Sequence, residues 1–252
     1  MIEVEKVSKS YDRALVLDDV EVTIPTGGIT SIIGPNGAGK STLLSIIARL
    51  LDADAGTVRV AGHDVATTDS RELARILAVL RQDNHLTVRL TVRDLVAFGR
   101  YPHSGGRNTP HDHDLINAAI TYLDLGDLAD RYLDEMSGGQ RQRAFVAMVL
   151  AQDTDHLLLD EPLNNLDMPH SRAMMRQLRK AADELDKTVV LVVHDINYAS
   201  CYSDRIIAMR DGRIFATGTP EEIMRRDLLG DLYDMDMPVE EFGGRMIAYP
   251  YF

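Results

Sequence analysis

The stretch Gly34-Pro35-Asn36-Gly37-Ala38-Gly39-Lys40-Ser41 decides the fold class of this chain. The run from Thr30 to Ile33 before it is typical of a buried strand, and Leu44, Ile47 and Leu51 after it recur at helical spacing. A strand therefore feeds a glycine-rich turn that opens a helix. This is the context that a phosphate-binding loop requires.

The residue types in this stretch suit nucleotide phosphates. The three glycines permit backbone torsions and a close approach that a side chain would block, so that N–H groups can face phosphate oxygens. Lys40 adds a positive charge for the β- and γ-phosphates, and Ser41 adds a hydroxyl for Mg²⁺. The residues expected to bind ATP here are Gly34, Pro35, Asn36, Gly37, Ala38, Gly39, Lys40, Ser41 and Thr42.

An acidic strand end complements the loop. Asp160 closes the apolar run Leu157 to Leu159, which places it to hold the same Mg²⁺ through water. Glu161 follows directly and is the natural group to polarise an attacking water. The alternative is a glycine turn and an acidic strand end without a ligand, which leaves the match of both halves to one template unexplained.

A third segment, Ser137-Gly138-Gly139-Gln140, precedes the acidic strand, and with it the chain resembles the ATP-binding cassette family over nearly its whole length. The segment is similar to the family's signature sequence, with Met136 where leucine is usual. The resemblance implies that it contacts the γ-phosphate of ATP held by a second copy, so that two chains work as a head-to-tail dimer. Ser137 is also suited to cap the following helix.

Four further positions match the family pattern in order along the chain. The resemblance implies that Tyr11 stacks on adenine and that Gln82 senses Mg²⁺, contributes to its site and touches a membrane partner. It implies that Asp167 crosses the dimer interface and that His194 bonds the γ-phosphate. Taken singly, these residues have ordinary alternatives: a half-buried tyrosine, a solvated glutamine and a strand-end histidine. The catalytic set is expected to be Glu161, His194 and Gln82, and the metal set Ser41, Gln82 and Asp160.

The expected fold is an α/β P-loop NTPase (RecA-like) core with an accessory antiparallel β subdomain and an inserted α-helical subdomain. We expect a single domain over 1–252, with the nucleotide core in 1–82 and 155–220, the helical subdomain in 83–154 and a tail in 221–252. We predict strands over Ile2 to Val7 and Val16 to Ile24 and a helix over Ser171 to Leu185. Another helix should start at Pro220, and a hairpin should cover Val239 to Tyr249 with its turn at Gly243-Gly244.

Composition limits the function classes. The chain has 252 residues, 45% of them hydrophobic, a formal net charge of −12 and one cysteine, Cys201, so that no internal disulfide can form. No apolar run approaches the roughly 18 residues of a membrane helix, and the first residues lack a secretory pattern. The negative charge disfavours nucleic acid and anionic lipid. We therefore expect no direct lipid anchor and a membrane association made through protein contacts.

A cluster of His103, His111 and His113 with Asp112 and Asp114 could be drawn as a metal site, but no cysteine or well-spaced third ligand joins it. We expect instead that Asp112 or Asp114 caps a helix that starts near Leu115.

The cargo is inferred from three segments: Leu90 to Pro102, Leu150 to Asp155 and Leu163 to Met168. They are similar to ATPases of bacterial iron-siderophore importers, especially those of catecholate-type ferric chelates. The resemblance implies a peripheral subunit at the cytoplasmic face of the cell membrane, with permease subunits and, indirectly, a substrate-binding protein. Haem or cobalamin import, an exporter, and a soluble ATPase of the iron–sulfur assembly or DNA-repair type remain alternatives.

Overall fold

The computed structural model describes residues 1–12, 14–82, 88–164 and 166–250. Its strands are β1 Ile2–Tyr11, β2 Ala14–Ile24, β3 Gly28–Ile33, β4 Ala55–Val60, β5 His63–Asp64, β6 Leu77–Leu80, β7 His156–Asp160, β8 Thr188–Val192, β9 Arg205–Arg210, β10 Arg213–Gly218, β11 Val239–Phe242 and β12 Arg245–Ala248. Its α-helices are α1 Lys40–Ile47, α2 Ser70–Ile76, α3 Val92–Phe98, α4 Tyr101–Ser104, α5 Pro110–Tyr122, α6 Gly138–Ala151, α7 Met168–Glu184, α8 Ile196–Tyr202, α9 Pro220–Ile223 and α10 Arg226–Tyr233.

A six-stranded sheet in the order β10-β9-β3-β8-β7-β6 forms the centre. Its strands run parallel except for β10, which pairs antiparallel with β9. Every residue of β7 and β8 is buried, because helices and the second sheet cover both faces. Full burial explains why these strands are nearly continuous apolar runs.

A second sheet in the order β2-β1-β4-β5 is antiparallel and lies on one side of the central sheet. Its inward residues, such as Ile2, Val4 and Val58, join the buried face of α1 in one apolar core. A second apolar core on the other side combines the helices of the insert, α3, α5 and α6, with α7 and the tail. The three-part α/β architecture expected from the sequence is confirmed.

The elements predicted in the tail and around β8 are present. Two helices, α5 and α7, begin earlier than the sequence predicts. Helix α5 begins at Pro110 and its N-cap is Thr109, so the expectation of Asp112 or Asp114 as the cap is wrong. The Thr109 hydroxyl accepts from the Asp112 backbone N–H, and Asp112 accepts in return from the Thr109 N–H at 2.9 Å. This reciprocal capping box starts the helix one turn earlier than the apolar spacing indicates.

Helix α7 likewise begins at Met168, ahead of the predicted Ser171, because Asp167 caps it. The hairpin of β11 and β12 turns at Gly243 and Gly244, both at positive φ, as the sequence predicts. Within the described residues, no helix is long and apolar enough to cross a membrane.

Candidate functional site

Four parallel strands deliver the site residues to one edge of the central sheet. The loop of residues 34–39 follows β3, Gln82 comes after β6, Glu161 follows β7 and His194 comes after β8. These strands are neighbours in the order β3-β8-β7-β6, so their carboxyl ends meet at the same edge. Ligands of open parallel sheets bind at this edge.

The loop after β3 depends on glycine at two positions. Gly34 has a φ of 144°, and a Cβ there would lie 2.0 Å from the Met209 carbonyl oxygen. Gly39 has a φ of 92°, and a Cβ there would meet Leu17 Cδ2 at 2.6 Å. A side chain at either place would force the loop away from its neighbours, whereas glycine lets α1 begin directly at Lys40.

Lys40 is buried and turns back over its own loop. Its Nζ donates to the Gly34 carbonyl at 2.8 Å and to the Pro35 carbonyl at 2.9 Å. Burial lowers the pKa of Lys40, while the charges of Glu161 and Asp160 oppose that shift. The ammonium is therefore held where a phosphate group can replace the two carbonyl partners.

Ser41 and Asp160 form an oxygen pair between α1 and β7. The Ser41 hydroxyl donates to Asp160 Oδ1 at 2.9 Å, and Asp160 is 7% exposed. Burial raises the pKa of Asp160, and the Ser41 hydrogen bond acts against that rise. A hydroxyl and a carboxylate at contact distance are the donor set that Mg²⁺ takes beside nucleotide phosphates, so these residues fit the ion.

Glu161 lies at the centre of a polar cluster and is 8% exposed. Its Oε2 accepts from Gln82 Nε2 at 2.9 Å and from the side-chain amide of Asn164, and its Oε1 lies 2.6 Å from His194 Nε2. Its backbone has a φ of 51°, an uncommon conformation for a side chain with a Cβ. The structure thus brings together Gln82, Glu161 and His194, the three residues of the expected catalytic set.

Tyr11 lies on the adjoining wall of the site. Its side chain is 48% exposed, and it lines a pocket together with Ser41, Thr42, Leu50 and Gln82. The ring is thus about half exposed and borders a pocket next to the phosphate loop. An exposed ring beside the phosphate loop is free to stack, so the adenine contact stays a prediction with a suitable geometry.

Ser137 caps α6 through a capping box with Gln140. The Ser137 hydroxyl accepts from the Gln140 N–H at 3.2 Å, and Gln140 Oε1 accepts from the Ser137 N–H at 3.1 Å. A Cβ on Gly139 would lie 3.1 Å from Leu166 Cδ2, so glycine allows the loop before α7 to pack against this helix start. Ser137 therefore caps α6 within its own chain, as the alternative holds. The exposed face of the segment remains free to contact another molecule.

Asp167 caps α7 and pairs with His170. Its carboxylate accepts from the His170 N–H at 3.1 Å and contacts the His170 ring, and the first of these bonds contributes most to lowering the pKa of Asp167.

In the described part of the chain, the cavity at the phosphate loop is lined by Val16, Asn36, Gly37, Ala38, Gly39, Lys40, Ser41, Thr42, Glu161 and His194. The Ser137 segment and Asp167 are not in that lining.

The histidines and acids around α5 serve other contacts. His103 Nε2 bonds the Gln152 carbonyl at 3.0 Å, and Asp112 pairs with Arg100. Within the residues that the structure describes, no group of three or more histidine, cysteine, aspartate or glutamate side chains is arranged to hold a metal ion.

The family model described as ABC transporter matches residues 17–164, more than half of the chain and including the phosphate loop, the Ser137 segment and the Asp160 strand. The chain belongs to the ABC transporter family. It is an ABC-type ATPase, and the relatives described next are named as import or transport ATP-binding proteins.

Three curated relatives of this ABC ATPase illustrate the branch. The petrobactin import ATP-binding protein YclP of Bacillus subtilis is 52% identical over 98% of both chains, and FatE of Bacillus anthracis, of the same description, is 54% identical over 93% of this chain and 94% of its own. The ferric enterobactin transport ATP-binding protein FepC of Escherichia coli is 40% identical over 92% of this chain and 86% of its own.

Two solved structures share the fold of this chain. A dimeric ATP-binding cassette bound to ADP and phosphate has a TM-score of 0.79 at 29% identity, over 87% of this chain and 99% of that one. The inward-facing structure of a putative metal-chelate type ABC transporter has a TM-score of 0.84 over 98% of this chain and 95% of that one. Because the two chains are only 24% identical, this similarity supports the fold alone.

Sequence reasoning about this ABC ATPase missed two contacts of the site. Asn164 donates to Glu161, and Gln142 Nε2 donates to the Pro162 carbonyl at 3.1 Å. The only signal was indirect, because Asn164 belongs to the segment that resembles siderophore importers and Gln142 to the polar run after the Ser137 segment. Neither sequence segment indicates which carboxylate or backbone carbonyl the side-chain amide of Asn164 or Gln142 would contact.

Proposed function

We propose that this chain is the ATP-hydrolysing subunit of an importer for a ferric siderophore of the catecholate type. The observation that carries the proposal is 52% identity over 98% of both chains to a protein named for petrobactin import. Agreement over the whole length includes the helical insert, where an importer ATPase meets its membrane partner. A soluble cassette ATPase would not require agreement there.

The site residues have separate tasks in this proposal. Lys40 leaves the carbonyls of its loop for the β- and γ-phosphates, while Glu161 polarises the attacking water. His194 and Gln82 hold Glu161 and face the same water and γ-phosphate. Ser41, Gln82 and Asp160 would hold Mg²⁺, which would supply neutralising charge to the phosphates. Tyr11 stacks on adenine at the outer wall.

The complete site requires a second copy of the chain. Residues 137–140 do not line the phosphate cavity within their own chain, and Asp167 lies on a surface where Met168 is 81% exposed. A head-to-tail pair would place the Ser137 segment of one copy on the ATP of the other. A cassette of similar fold that is dimeric with ADP and phosphate bound supports a pair of chains as the working unit.

The membrane partner would bind the insert. Phe98 is the last residue of α3 and Tyr101 is the first residue of α4, and their side chains are 53% and 61% exposed. Exposed aromatic side chains of this kind mark surfaces for protein contacts. Arg89 and Arg93, by contrast, pair with acidic groups of the insert itself, Arg89 with Asp134 at 3.1 Å. Residues 83–87 between Gln82 and this surface lie outside the described residues.

The remaining expectations are part of the same proposal. The chain works peripherally at the cytoplasmic face of a bacterial membrane, beside permease subunits that receive cargo from a substrate-binding protein. Its single domain divides into the core of 1–82 and 155–220, the insert of 83–154 and the tail of 221–252.

Uptake of radioactive iron tests this function. Cells that lack the chain should take up iron from a catecholate chelate at background level, and the wild-type chain should restore uptake, whereas Lys40→Ala should not. Phe98→Ala with Tyr101→Ala should also lose uptake while the purified chain retains most of its basal ATP hydrolysis. Normal uptake in cells without the chain, or restored uptake only of haem or cobalamin, would contradict the proposed cargo.

A further inference from the structure

The carboxyl end of helix α6 is joined to the nucleotide core by the side chain of Gln152. Its Nε2 donates to the carbonyl oxygen of Ala74 at 2.6 Å and to that of Leu77 at 3.0 Å. Ala74 lies in α2 and Leu77 opens β6, so both acceptors belong to the core. Gln152 itself is the C-cap of α6, the helix that Ser137 opens.

The backbone of the same residue is held from the insert. The Gln152 carbonyl accepts from Arg100 Nη1 and from His103 Nε2, each at 3.0 Å, and Arg100 Nη1 also reaches the Ala151 carbonyl at 3.0 Å. Arg100 is buried and pairs with Asp112 at 2.8 Å. A guanidinium at a helix carboxyl end satisfies the last carbonyls and complements the helix dipole, so this end of α6 is fixed in place.

The partners of Gln152 explain why the residue is an amide. Two carbonyl oxygens converge on one atom, and the amide nitrogen supplies a hydrogen to each. A glutamate of the same shape presents only oxygens to these two acceptors. A methionine fills the space without making either bond.

Because α6 is long, its angle at the Gln152 end determines where Ser137 lies at the other end. The helix has 14 residues between its caps, so Ser137 and Gln152 are about 22 Å apart along its axis. A tilt of roughly 10° at Gln152 would then move Ser137 by about 4 Å. Reacting groups lose about 100-fold in rate for a misplacement of about 1 Å, so the angle of α6 matters for any contact that Ser137 makes.

We propose that Gln152 is a positioning residue that sets the angle of α6 against the core and thereby places the Ser137 segment on the ATP of the second copy. It acts through the helix and touches no substrate. The inference rests on the proposed function in one respect, because it requires that Ser137 contacts ATP in trans.

The test compares Gln152→Glu and Gln152→Met with Asp155→Asn, a substitution at an exposed neighbour. Purified wild type and variants are assayed for MgATP binding, steady-state hydrolysis and thermal unfolding. Both Gln152 variants should bind ATP with a Kd within about twofold of wild type, while kcat falls about tenfold or more. Asp155→Asn should match wild type in all three measurements.

Dimer formation separates this proposal from the one on which it rests. The same substitutions are placed in a Glu161→Gln chain, and the ATP concentration at half-maximal dimerisation is measured by light scattering; it should rise about tenfold for both Gln152 variants. If Glu161→Gln alone does not dimerise with ATP, the trans contact fails and this inference falls with it. If Glu161→Gln dimerises and the added Gln152 substitutions change nothing, only the Gln152 assignment is wrong. Loss of ATP binding together with a lowered unfolding temperature in both variants would also overturn it, since Gln152 would then maintain the fold as a whole.

Discussion

Side chains that follow three strands of the central sheet contact the carboxylate of Glu161. Gln82 follows β6, Asn164 follows β7 and His194 follows β8, and all three face its two carboxylate oxygens. A carboxylate that is held in this way can accept a proton from water without first reorganising.

Replacement of Glu161 by glutamine tests its role at the residue scale. The amide keeps the shape and one oxygen for Gln82 and Asn164 but loses the basic group, so ATP should still bind and hydrolysis should fall by about 100-fold or more. ATP should then accumulate in a stable dimer. Single-turnover hydrolysis by rapid quench measures the chemical step, with Asp211→Asn, at an exposed surface position, as the control. A single-turnover rate near that of wild type would rule out Glu161 as the residue that activates water.

Helix α5 of the insert depends at the scale of the element on one buried ion pair. Arg100 and Asp112 approach to 2.8 Å with side chains that are each 5% exposed. Asp112 also accepts from the Thr109 backbone and hydroxyl, so one carboxylate closes the capping box and neutralises the guanidinium. The hydrogen bonds from Thr109, followed by that from Arg100, hold the pKa of Asp112 well below its usual range.

Asp112→Asn should therefore destabilise the chain by about 3 kcal/mol, because a buried guanidinium loses its counter-charge. Asp114→Asn, two residues further and exposed, is the matched control and should change the free energy of unfolding by less than about 0.5 kcal/mol. Denaturant unfolding measures both. The lowered pKa makes the wild-type advantage complete above about pH 4 and lost as the pH falls through the folded-state value. Equal stability of Asp112→Asn and wild type at pH 7 would contradict the importance of the pair.

Across the whole molecule, the two halves of the proposed ATP site face different surfaces of one chain. The phosphate loop opens at the carboxyl edge of the central sheet, whereas Ser137 opens α6 in the insert and exchanges hydrogen bonds with Gln140. A chain with either half disabled should then be inactive alone and complement a chain with the other half disabled.

Mixing Lys40→Ala with Ser137→Arg chains tests this sharing. Each homodimer lacks one component in both sites, so neither should turn over ATP, whereas the mixed dimer retains one intact site and should recover at most half of the wild-type rate. Hydrolysis measured against mixing ratio, with each variant mixed with itself as control, gives the result. Normal hydrolysis by either variant alone would show that the site is completed within one chain.

Several features of this protein follow from the sequence because the residues that form them are adjacent. The loop of residues 34–39 needs glycine where φ is positive, and Gly34 and Gly39 supply it within one turn. The buried strands β7 and β8 are continuous apolar runs, and the hairpin of β11 and β12 turns at Gly243 and Gly244. Local backbone preference and burial decide such elements, so the strand, loop and helix order was predictable.

Tertiary structure alone decided which of these elements meet. Gln82 and Glu161 are 79 residues apart and bond because β6 and β7 pair at one edge of the sheet, and no local pattern specifies that pairing. The start of α5 at Pro110 and the partners of Gln152 were likewise not evident, since capping and amide contacts depend on single side-chain geometries. Hydrogen bonds between distant residues form only after the sheet order and packing are set, and for that reason the sequence could place the chemical groups along the chain while the fold determined their contacts.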